Sequence, residues 1–197
     1  MRGLRSSNAP ASSRGPNAGG DGVIDVPTPT PFATRVSATE PDWTREHRAR
    51  GEWSPGKSLL ASIRSYQHWR TRRGLVAHMA RKIAVLRHRW WSAVSGADIP
   101  LTSRIGGGLL LPHPNGIVVH PDADIGPNCL LFQQVTIGHA GTGVPSIGGH
   151  VDIGAGAKIL GPITIGAHCR VGANSVVLQD VPPDSTVVGI PGKILNR

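Results

Sequence analysis

Two side chains of complementary acid–base chemistry, Asp98 and His113, stand fifteen residues apart in the sequence. A neutral imidazole that is held by a carboxylate through one ring nitrogen can accept a hydroxyl proton on the other. A hydroxyl group activated in this way can attack an acyl group, as acyl transfer from a thioester to an alcohol requires. The alternative is structural: His113 is a turn residue between Pro112 and Pro114, and Asp98 caps the end of a helix.

A six-residue repeat in the second half of the chain determines which residues can meet. Neither a helix, with its 3.6-residue period, nor an ordinary meander explains such a repeat. A parallel β-helix does, because each short strand and its corner use one hexapeptide. With three hexapeptides in each coil, we predict a prism of about four and a half coils. The aliphatic residues of the repeat are Ile99, Ile105, Leu111, Val119, Ile125, Leu131, Ile137, Ile147, Ile153, Ile159, Ile165, Val171 and Val177.

Two interruptions of the repeat predict surface loops. The first adds two residues around positions 112–116, and the second adds four around 139–145. Insertions into a regular solenoid form loops on its surface, and loops often carry function. We expect the two loops to lie at similar corners of successive coils. A coil of about eighteen residues also allows the Asp98 carboxylate to come under the His113 imidazole after one circuit.

The charge of the chain is concentrated before the repeat. The 197 residues carry a net charge of +9. Between Arg45 and Arg89, twelve Lys or Arg residues stand against two Glu, whereas from Asp98 onward five stand against six Asp. The solenoid is therefore nearly neutral, and the excess of positive charge lies in residues 45–89.

Composition also bears on the cellular setting. Cys129 and Cys169 lack C-x-x-C spacing, so neither a disulfide framework nor a zinc site is predicted. We expect reduced, intracellular thiols and no metal. No apolar run approaches the ~18 residues of a spanning helix, and the N-terminus shows no apolar signal-peptide core. These features predict a cytoplasmic protein.

Three regions follow from these patterns. Residues 1–44 are rich in Ser, Pro and Gly without apolar periodicity, and we predict a disordered tail. Residues 45–96 are predicted to form a basic helical cap, and residues 97–197 the β-helix. Ser54 and Pro55 are typical of a helix start, and a break near Gly74 separates a second helix. Its apolar face would carry Val76, Met79, Ile83, Leu86 and Trp90.

The basic helices allow two interpretations. In the favoured one, their apolar faces cover the open end of the solenoid and the arginines form a solvated face. In the other, the helices are a site for anionic membrane surfaces or nucleic acid. We expect neither a membrane nor a nucleic-acid partner, because runs of charge are most often simply solvated.

Several motifs carry a resemblance to a known family. The residues IGAGAKILG at 153–161, VGANSVV at 171–177, VPP at 181–183 and GIPGK at 189–193 resemble those of the left-handed β-helix acyltransferases. Within that family the chain most resembles serine O-acetyltransferase, over about residues 97–195. The Asp-Ile pair at 98–99 and the His-x-x-Gly run at 113–116 match the spacing of its catalytic dyad. The resemblance implies left-handed coiling, with His113 as general base and Asp98 orienting it.

The resemblance also implies a donor site and an assembly. Acetyl-CoA would be the co-substrate, with Ala155 and Ala173 against its pantetheine arm and Lys193 against its phosphorylated nucleotide end. The backbone at Gly138 would contribute as well. A prism with three flat sides favours threefold self-association. We therefore expect a homotrimer with the site between chains, as in the family.

The chain departs from the family at two positions near the expected acceptor site. Pro112 stands where the family has an Asp before the catalytic His, and Val144 stands where it has a second His before a Pro. His139 and His150 are the candidate substitutes for binding the acceptor. We also expect no complex with cysteine synthase, because the sequence ends without the longer tail ending in Ile by which family members engage that enzyme.

The resulting functional prediction is serine O-acetylation, the transfer of an acetyl group from acetyl-CoA to L-serine for cysteine biosynthesis. One alternative is O-acetylation of a sugar, a polysaccharide or an antibiotic on the same fold, which the missing serine anchors favour. The other alternative is a non-catalytic solenoid scaffold.

Overall fold

The computed structural model of the chain describes residues 36–195. A short 3-10 helix at Trp43–Glu46 precedes α1 (Pro55–Arg70) and α2 (Leu75–Ser95). Gly96 ends α2 in the left-handed region, with a φ of 66°, a common way for helices to stop. The strands are β1 (Arg104–Ile105), β2 (Val118–Val119), β3 (Asp124–Ile125), β4 (Leu130–Leu131), β5 (Thr136–Gly138), β6 (Ser146–Ile147), β7 (Asp152–Ile153), β8 (Lys158–Leu160), β9 (Thr164–Ile165), β10 (Arg170–Val171), β11 (Val176–Val177), β12 (Thr186–Val188) and β13 (Lys193–Leu195).

The strands stack into the three faces of a prism. The β1 face contains β1, β3, β6 and β9; the β2 face contains β2, β5, β8 and β11; the β4 face contains β4, β7, β10 and β12. All of these neighbours pair in parallel, and β13 adds to β12 in the antiparallel sense. The chain passes from the β4 face to the β2 face, then to the β1 face, and back to the β4 face. We name the three edges of the prism the β4–β2, β2–β1 and β1–β4 corners.

The core confirms the six-residue repeat. All thirteen aliphatic residues are buried, and the most exposed of them, Ile105, has only 8% of its surface accessible. The narrow interior between them is filled by small side chains two positions earlier, such as Ala123, Ala157 and Ser175, all buried. Because each coil stacks only on its neighbours, the core is one continuous ladder.

The strand register confirms the extra residues at the two interruptions. Undisturbed coils pair residues eighteen apart, as in Asp152 with Arg170. Across the first interruption the offset is twenty, as in Arg104 with Asp124, and across the second it is twenty-two, as in Asp124 with Ser146. The two and four extra residues therefore form loops outside the coils, and the strands on either side of them stay in register.

The expectation that both loops lie at similar corners is wrong. The first loop precedes β2 at the β4–β2 corner, and the second follows β5 at the β2–β1 corner. Four hexapeptides separate them, with aliphatic residues Val119, Ile125, Leu131 and Ile137. Three hexapeptides would return the chain to the same corner, so the fourth moves the second loop one corner further round.

Helix α1 covers the open end of the solenoid, as expected. Its residues Leu59, Leu60 and Ile63 are fully buried in the solenoid core. The Arg64 guanidinium donates to the carbonyl oxygens of Ile105 and Gly106, each at 2.7 Å. Edge strands expose unpaired backbone groups, and the guanidinium satisfies two of them.

Further side chains complete this edge. Gln67 donates to the Ser103 carbonyl oxygen at 3.0 Å, and Ser92 donates to that of Ala97 at 2.5 Å. The Glu46 carboxylate accepts from the backbone N–H groups of Gly108 and Leu109, at 2.9 and 3.2 Å. It also pairs with Arg64 at 2.8 Å. The helical segment therefore replaces, group by group, the hydrogen bonds that another coil would supply.

The predicted apolar face of α2 does not cover the solenoid, and that part of the expectation is wrong. Val76 and Leu86 are 73% and 70% exposed, and Met79, Ile83 and Trp90 are about half exposed or more. The helix instead buries the small residues Ala77, Ala84 and Ser95. Small side chains allow close approach to α1. Trp91 packs against the core, and the large residues of the predicted face remain on the outer side. Among residues 36–195, no helix combines the length and apolarity that crossing a bilayer requires.

The last residues of the predicted tail are ordered against the solenoid. The buried amide of Asn128 donates to the carbonyl oxygens of Ser37 and Glu40, each at 2.8 Å, and accepts from Asp42 N–H at 2.8 Å. A buried side-chain amide of this kind needs such partners, so it holds the segment in place. Residues 36–44 are therefore ordered, in contrast to the predicted disordered tail. Residues 1–35, the rest of that predicted tail, lie outside the described residues.

Replacing Glu46 by Gln is expected to destabilise the fold by about 3 kcal/mol, because it leaves Arg64 without its charged partner in a mostly buried setting. Only about 10% of the Glu46 side chain is exposed. The measurement is the free energy of unfolding in denaturant.

Glu52→Gln is the matched control. It breaks the more exposed pair with Lys57 and should cost clearly less. Equal losses in the two variants would contradict the assigned role of Glu46.

Candidate active site

His113 lies in the first loop, at the β4–β2 corner. A tight turn closes that loop, because Ile117 N–H donates to the Pro114 carbonyl oxygen at 3.1 Å. Gly116 adopts a φ of 71°, which favours a residue without Cβ. Pro114 is buried and His113 is exposed, so the turn directs the imidazole to the surface of the prism.

Asp98 lies one coil below, where the chain enters the β2 face. Its N–H donates to the Ile117 carbonyl oxygen at 2.8 Å, and its carbonyl oxygen accepts from Val119 N–H at 2.9 Å. Gly116 N–H donates to the Gly96 carbonyl oxygen at 2.8 Å. Backbone hydrogen bonds therefore bring the Asp98 segment and the His113 loop to the same corner.

The two side chains form no direct polar contact within the described residues. Within residues 36–195, no hydrogen bond or ion pair joins the Asp98 carboxylate to the His113 imidazole, and both side chains are exposed. An exposed side chain is free to change rotamer, whereas packing against a neighbour would select one. The dyad stays a prediction, and the backbone places its two members one coil apart.

The β4–β2 corner continues as a column of stacked turns. Gln134 N–H donates to the Asn115 carbonyl oxygen, Gly156 N–H to that of Gln133, and Asn174 N–H to that of Ala155, at 2.8–2.9 Å. Neighbouring strands are about 4.8 Å apart, so Ala155 lies two coils, roughly 10 Å, along the prism from the His113 loop. Ala173 follows one coil further.

The C-terminal strand begins at this column and runs back along the β4 face. Lys193 pairs with Val188 in the antiparallel β12–β13 ladder, and Gly192 N–H donates to the Val176 carbonyl oxygen at 2.7 Å. The Lys193 side chain is exposed. Three of the four predicted cofactor residues, Ala155, Ala173 and Lys193, therefore share one edge of the prism with His113.

Gly138 and His139 lie on a different edge. Gly138 ends β5 at the β2–β1 corner, where its carbonyl oxygen accepts from Gly161 N–H at 3.1 Å. His139 is exposed beside it, with its ring 6.2 Å from that of His120. In a single chain, the whole width of the β2 face separates these residues from the corner that carries His113.

His150 lies on the third edge, the β1–β4 corner. Its Nδ1 is 2.8 Å from Nδ1 of His168, and the two rings meet edge to face. The structure of the single chain therefore brings neither His139 nor His150 to the corner of His113. Among residues 36–195, no group of three or more His, Cys, Asp or Glu side chains is placed to hold a metal ion.

Gln133 is a candidate that the sequence analysis did not identify. It lies on the β4–β2 corner between the His113 loop and Ala155, and its Oε1 is buried without a hydrogen-bond partner among the described residues. Buried polar atoms are normally paired, so an unpaired amide oxygen here is available to a ligand. The sequence signal was Gln133 alone, because the equivalent corner positions of other coils hold small residues such as Gly149, Ala155, Ala167 and Ala173.

Both thiols are unsuited to nucleophilic chemistry at neutral pH. Cys129 and Cys169 are free and buried. Burial raises the pKa of Cys129 to about 11, and it also raises the pKa of Cys169. A thiolate is the reactive form, so these cysteines act as small core residues.

The raised pKa of Cys129 predicts a loss of stability in alkali. The unfolded thiol ionises near pH 8.5, whereas the folded one stays protonated until about pH 11. The free energy of unfolding should therefore fall by up to about 3 kcal/mol as the pH rises through that window. Denaturant unfolding at pH 8 and pH 10 measures the effect. The Cys129→Ala variant should show a shallower dependence, and an unchanged slope would contradict the prediction.

Comparisons with known proteins relate the solenoid to a group of transferases. Residues 145–179 match the family model described as bacterial transferase hexapeptide (six repeats). The serine acetyltransferase of Synechococcus elongatus is 44% identical over 108 residues, which are 53% of this chain and 44% of that protein. That of Mycobacterium tuberculosis is 38% identical over 136 residues, 66% of this chain and 56% of that protein. The chain spans about half the length of the curated relatives it matches.

Solved structures give the same relationship. Soybean serine acetyltransferase complexed with serine matches with a TM-score of 0.61 and 39% identity, over 72% of this chain and 57% of that one. A serine acetyltransferase in complex with CoA matches with a TM-score of 0.61 and 34% identity, over 73% and 58%. The comparisons confirm the expected fold of the described region, a left-handed parallel β-helix with a short helical segment before it.

Proposed function

We propose that this chain, which resembles the left-handed β-helix acyltransferases and most of all serine O-acetyltransferase, is an acetyl-CoA-dependent O-acetyltransferase. The observation that supports this most is the shared β4–β2 corner. It carries the His113 loop, Gln133, Ala155 and Ala173 on successive coils, with Lys193 at its far end. A long extended donor can lie along such an edge with its reactive end near a base.

His113 is the general base of the proposed reaction, and Asp98 orients it. The imidazole removes the proton of the acceptor hydroxyl while the carboxylate holds the other ring nitrogen. The hydroxyl oxygen then bonds to the acetyl carbon, the bond from that carbon to the donor sulfur breaks, and His113 returns the proton to the thiolate. No covalent enzyme intermediate is needed, in agreement with the unreactive buried thiols.

The donor is placed by the small residues of the column and by one cation. Ala155 and Ala173 leave backbone groups accessible to the extended arm of acetyl-CoA. The exposed Lys193 ammonium offers a positive charge to the phosphates at the other end of the donor. A solved serine acetyltransferase in complex with CoA supports this choice of donor.

The proposed acceptor is L-serine, which would place the reaction in cysteine biosynthesis. The similarity to serine acetyltransferases, including the soybean structure complexed with serine, supports it. Pro112 and Val144 stand at positions where the family uses polar side chains, and that observation favours a sugar hydroxyl as the second candidate. Gln133, whose Oε1 has no hydrogen-bond partner among the described residues, is the polar side chain that we expect either acceptor to meet at this corner.

Replacing His113 by Gln should lower kcat/KM by about 10²- to 10⁴-fold, because the hydroxyl loses its proton acceptor. Asp98→Asn should lower it roughly 10- to 100-fold through a poorly oriented imidazole. The assay follows free thiol released from acetyl-CoA in the presence of acceptor.

His47→Gln is the control and should keep full activity, because His47 is exposed and follows Glu46, which contacts Gly108 at the β1–β4 corner. Full thiol release by the His113 variant would exclude His113 as the base. Failure of the unmodified chain to release thiol with any acceptor would instead favour a scaffold.

An acceptor panel distinguishes serine from sugars. We expect L-serine to consume acetyl-CoA faster than a set of monosaccharides and oligosaccharides, with O-acetylserine identified by mass spectrometry. Turnover with a saccharide and none with serine would overturn the acceptor and leave the donor site intact.

The proposed assembly is a homotrimer in which a neighbouring copy completes the site. Gly138 and His139 lie at the β2–β1 corner, so they can join the donor site only by facing the β4–β2 corner of another chain. Light scattering should give three times the 20.7 kDa chain mass. A monomer that is fully active would contradict the shared site.

A further inference from the structure

Helix α2 exposes a continuous apolar stripe. From Val76 to Val94 its residues recur every three or four positions, and Leu75 directly precedes them, so they align along one side of the helix. Each of them is exposed to solvent. Single exposed apolar residues are ordinary, but a contiguous patch marks a binding surface. The stripe consists of Leu75, Val76, Met79, Ile83, Leu86, Trp90 and Val94.

A cationic cavity lies beside the stripe. It measures about 520 Å³, opens to solvent, and lies between α1 and α2. Arg81, Lys82 and Arg89 line it, together with His78 and with Tyr66 from α1. Leu86 belongs to both the stripe and the cavity lining. Positive charge and apolar surface therefore adjoin on a single helix.

Most cations of α1 and α2 lack counter-charges among the described residues. Neither α1 nor α2 contains an Asp or Glu residue. Arg64 and Lys57 pair with glutamates outside the helices. In contrast, seven other cations form no ion pair with any carboxylate among residues 36–195, namely Arg70, Arg72, Arg73, Arg81, Lys82, Arg87 and Arg89.

We propose that α2 binds the surface of an anionic lipid bilayer. The apolar stripe enters the boundary between headgroups and acyl chains, and the cavity cations hold lipid phosphates. A helix with Leu and Trp on one face and Lys and Arg on another is the usual form of a surface-bound amphipathic helix. Basic residues near the anionic surface add an attraction that salt weakens. This departs from the expectation of no membrane partner, which assumed that the apolar face of α2 was buried.

Charge argues against two other occupants. If a second copy packed its α2 on this stripe, the cations that border both stripes would lie close together with no acidic residue in either helix to pair with them. Nucleic acid would satisfy the cations, but its phosphate backbone would leave the stripe in water. An anionic bilayer satisfies both the apolar and the cationic faces.

This inference does not depend on the proposed acetyltransferase activity, because it rests on α2 and not on the solenoid corner. Its test is flotation of the full chain with vesicles. One set contains phosphatidylcholine alone, and the other contains phosphatidylcholine mixed with phosphatidylglycerol. We expect binding to the mixed vesicles only, weakened by added salt, with a blue shift of tryptophan fluorescence.

Two double variants address the two faces. Ile83→Gln with Leu86→Gln removes part of the stripe, and Arg81→Gln with Arg89→Gln removes cavity charge. Each should weaken binding at least tenfold. All four residues lie on the surface or line the open cavity, so circular dichroism should show unchanged helix content.

Matched controls lie on the solenoid. Leu178→Gln changes an exposed leucine and Arg170→Gln an exposed cation, and both should bind as the unmodified chain does. The proposal is overturned by equal binding to both vesicle types or by full binding of the stripe variant. It is also overturned if the stripe variant lowers the mass of the assembly in solution, which would assign the stripe to a second copy. Tighter binding to duplex DNA than to mixed vesicles would overturn it as well.

Discussion

The structure depends on parallel hydrogen bonding between coils in strict register. Each residue lies above its equivalent in the coil below. Equivalent hexapeptide positions therefore stack into columns, and the same type of residue repeats along the interior or along a corner of the prism. The interior ladder of Ile, Val and Leu exists for this reason, and so do the columns of tight turns at the corners. Surplus residues cannot enter the ladder without shifting every pair above them. They leave the prism as loops, and the first loop holds the exposed His113 outside the packed interior.

An end of such a stack is its weakest point, and the helical segment shows how the chain manages one. Arg64, Gln67 and Ser92 donate to first-coil carbonyl oxygens, while the Glu46 carboxylate accepts from two N–H groups of the same coil. Polar side chains can pair with these backbone groups because they extend from a helix that lies across the edge of the first coil. The positions that α1 and α2 can take are then set by these contacts. One consequence is that α2 packs Trp91 against the core and keeps its other large apolar residues on the outer side.

The repeat, the buried ladder and the two insertions could be predicted from the sequence, because a period of six over thirteen positions has one structural explanation. The helices at 55–70 and 75–95 were foreseen from Pro55, Gly74 and the apolar spacing. The corner of the second loop was also within reach of the sequence, because it follows from counting the four hexapeptides between the loops. Three other features could not be foreseen. The exposure of the α2 stripe depends on which of two amphipathic helices contacts the core, which periodicity does not reveal. The order of residues 36–44 depends on one distant amide, Asn128. The placement of the Asp98 and His113 side chains is a question of rotamers, which spacing along the chain does not determine.

The antiparallel return of β13 along β12 bears on how copies of this protein avoid one another. The last coil of a parallel solenoid exposes unpaired backbone N–H and C=O groups. A second molecule could pair with these groups just as the next coil of the same chain would. Here the direction of the chain reverses on the β4 face, and the opposite end lies beneath helices. The C-terminal coil of one molecule therefore cannot stack on the N-terminal coil of another to form a filament. The protein therefore has a repetitive fold that does not polymerise end to end.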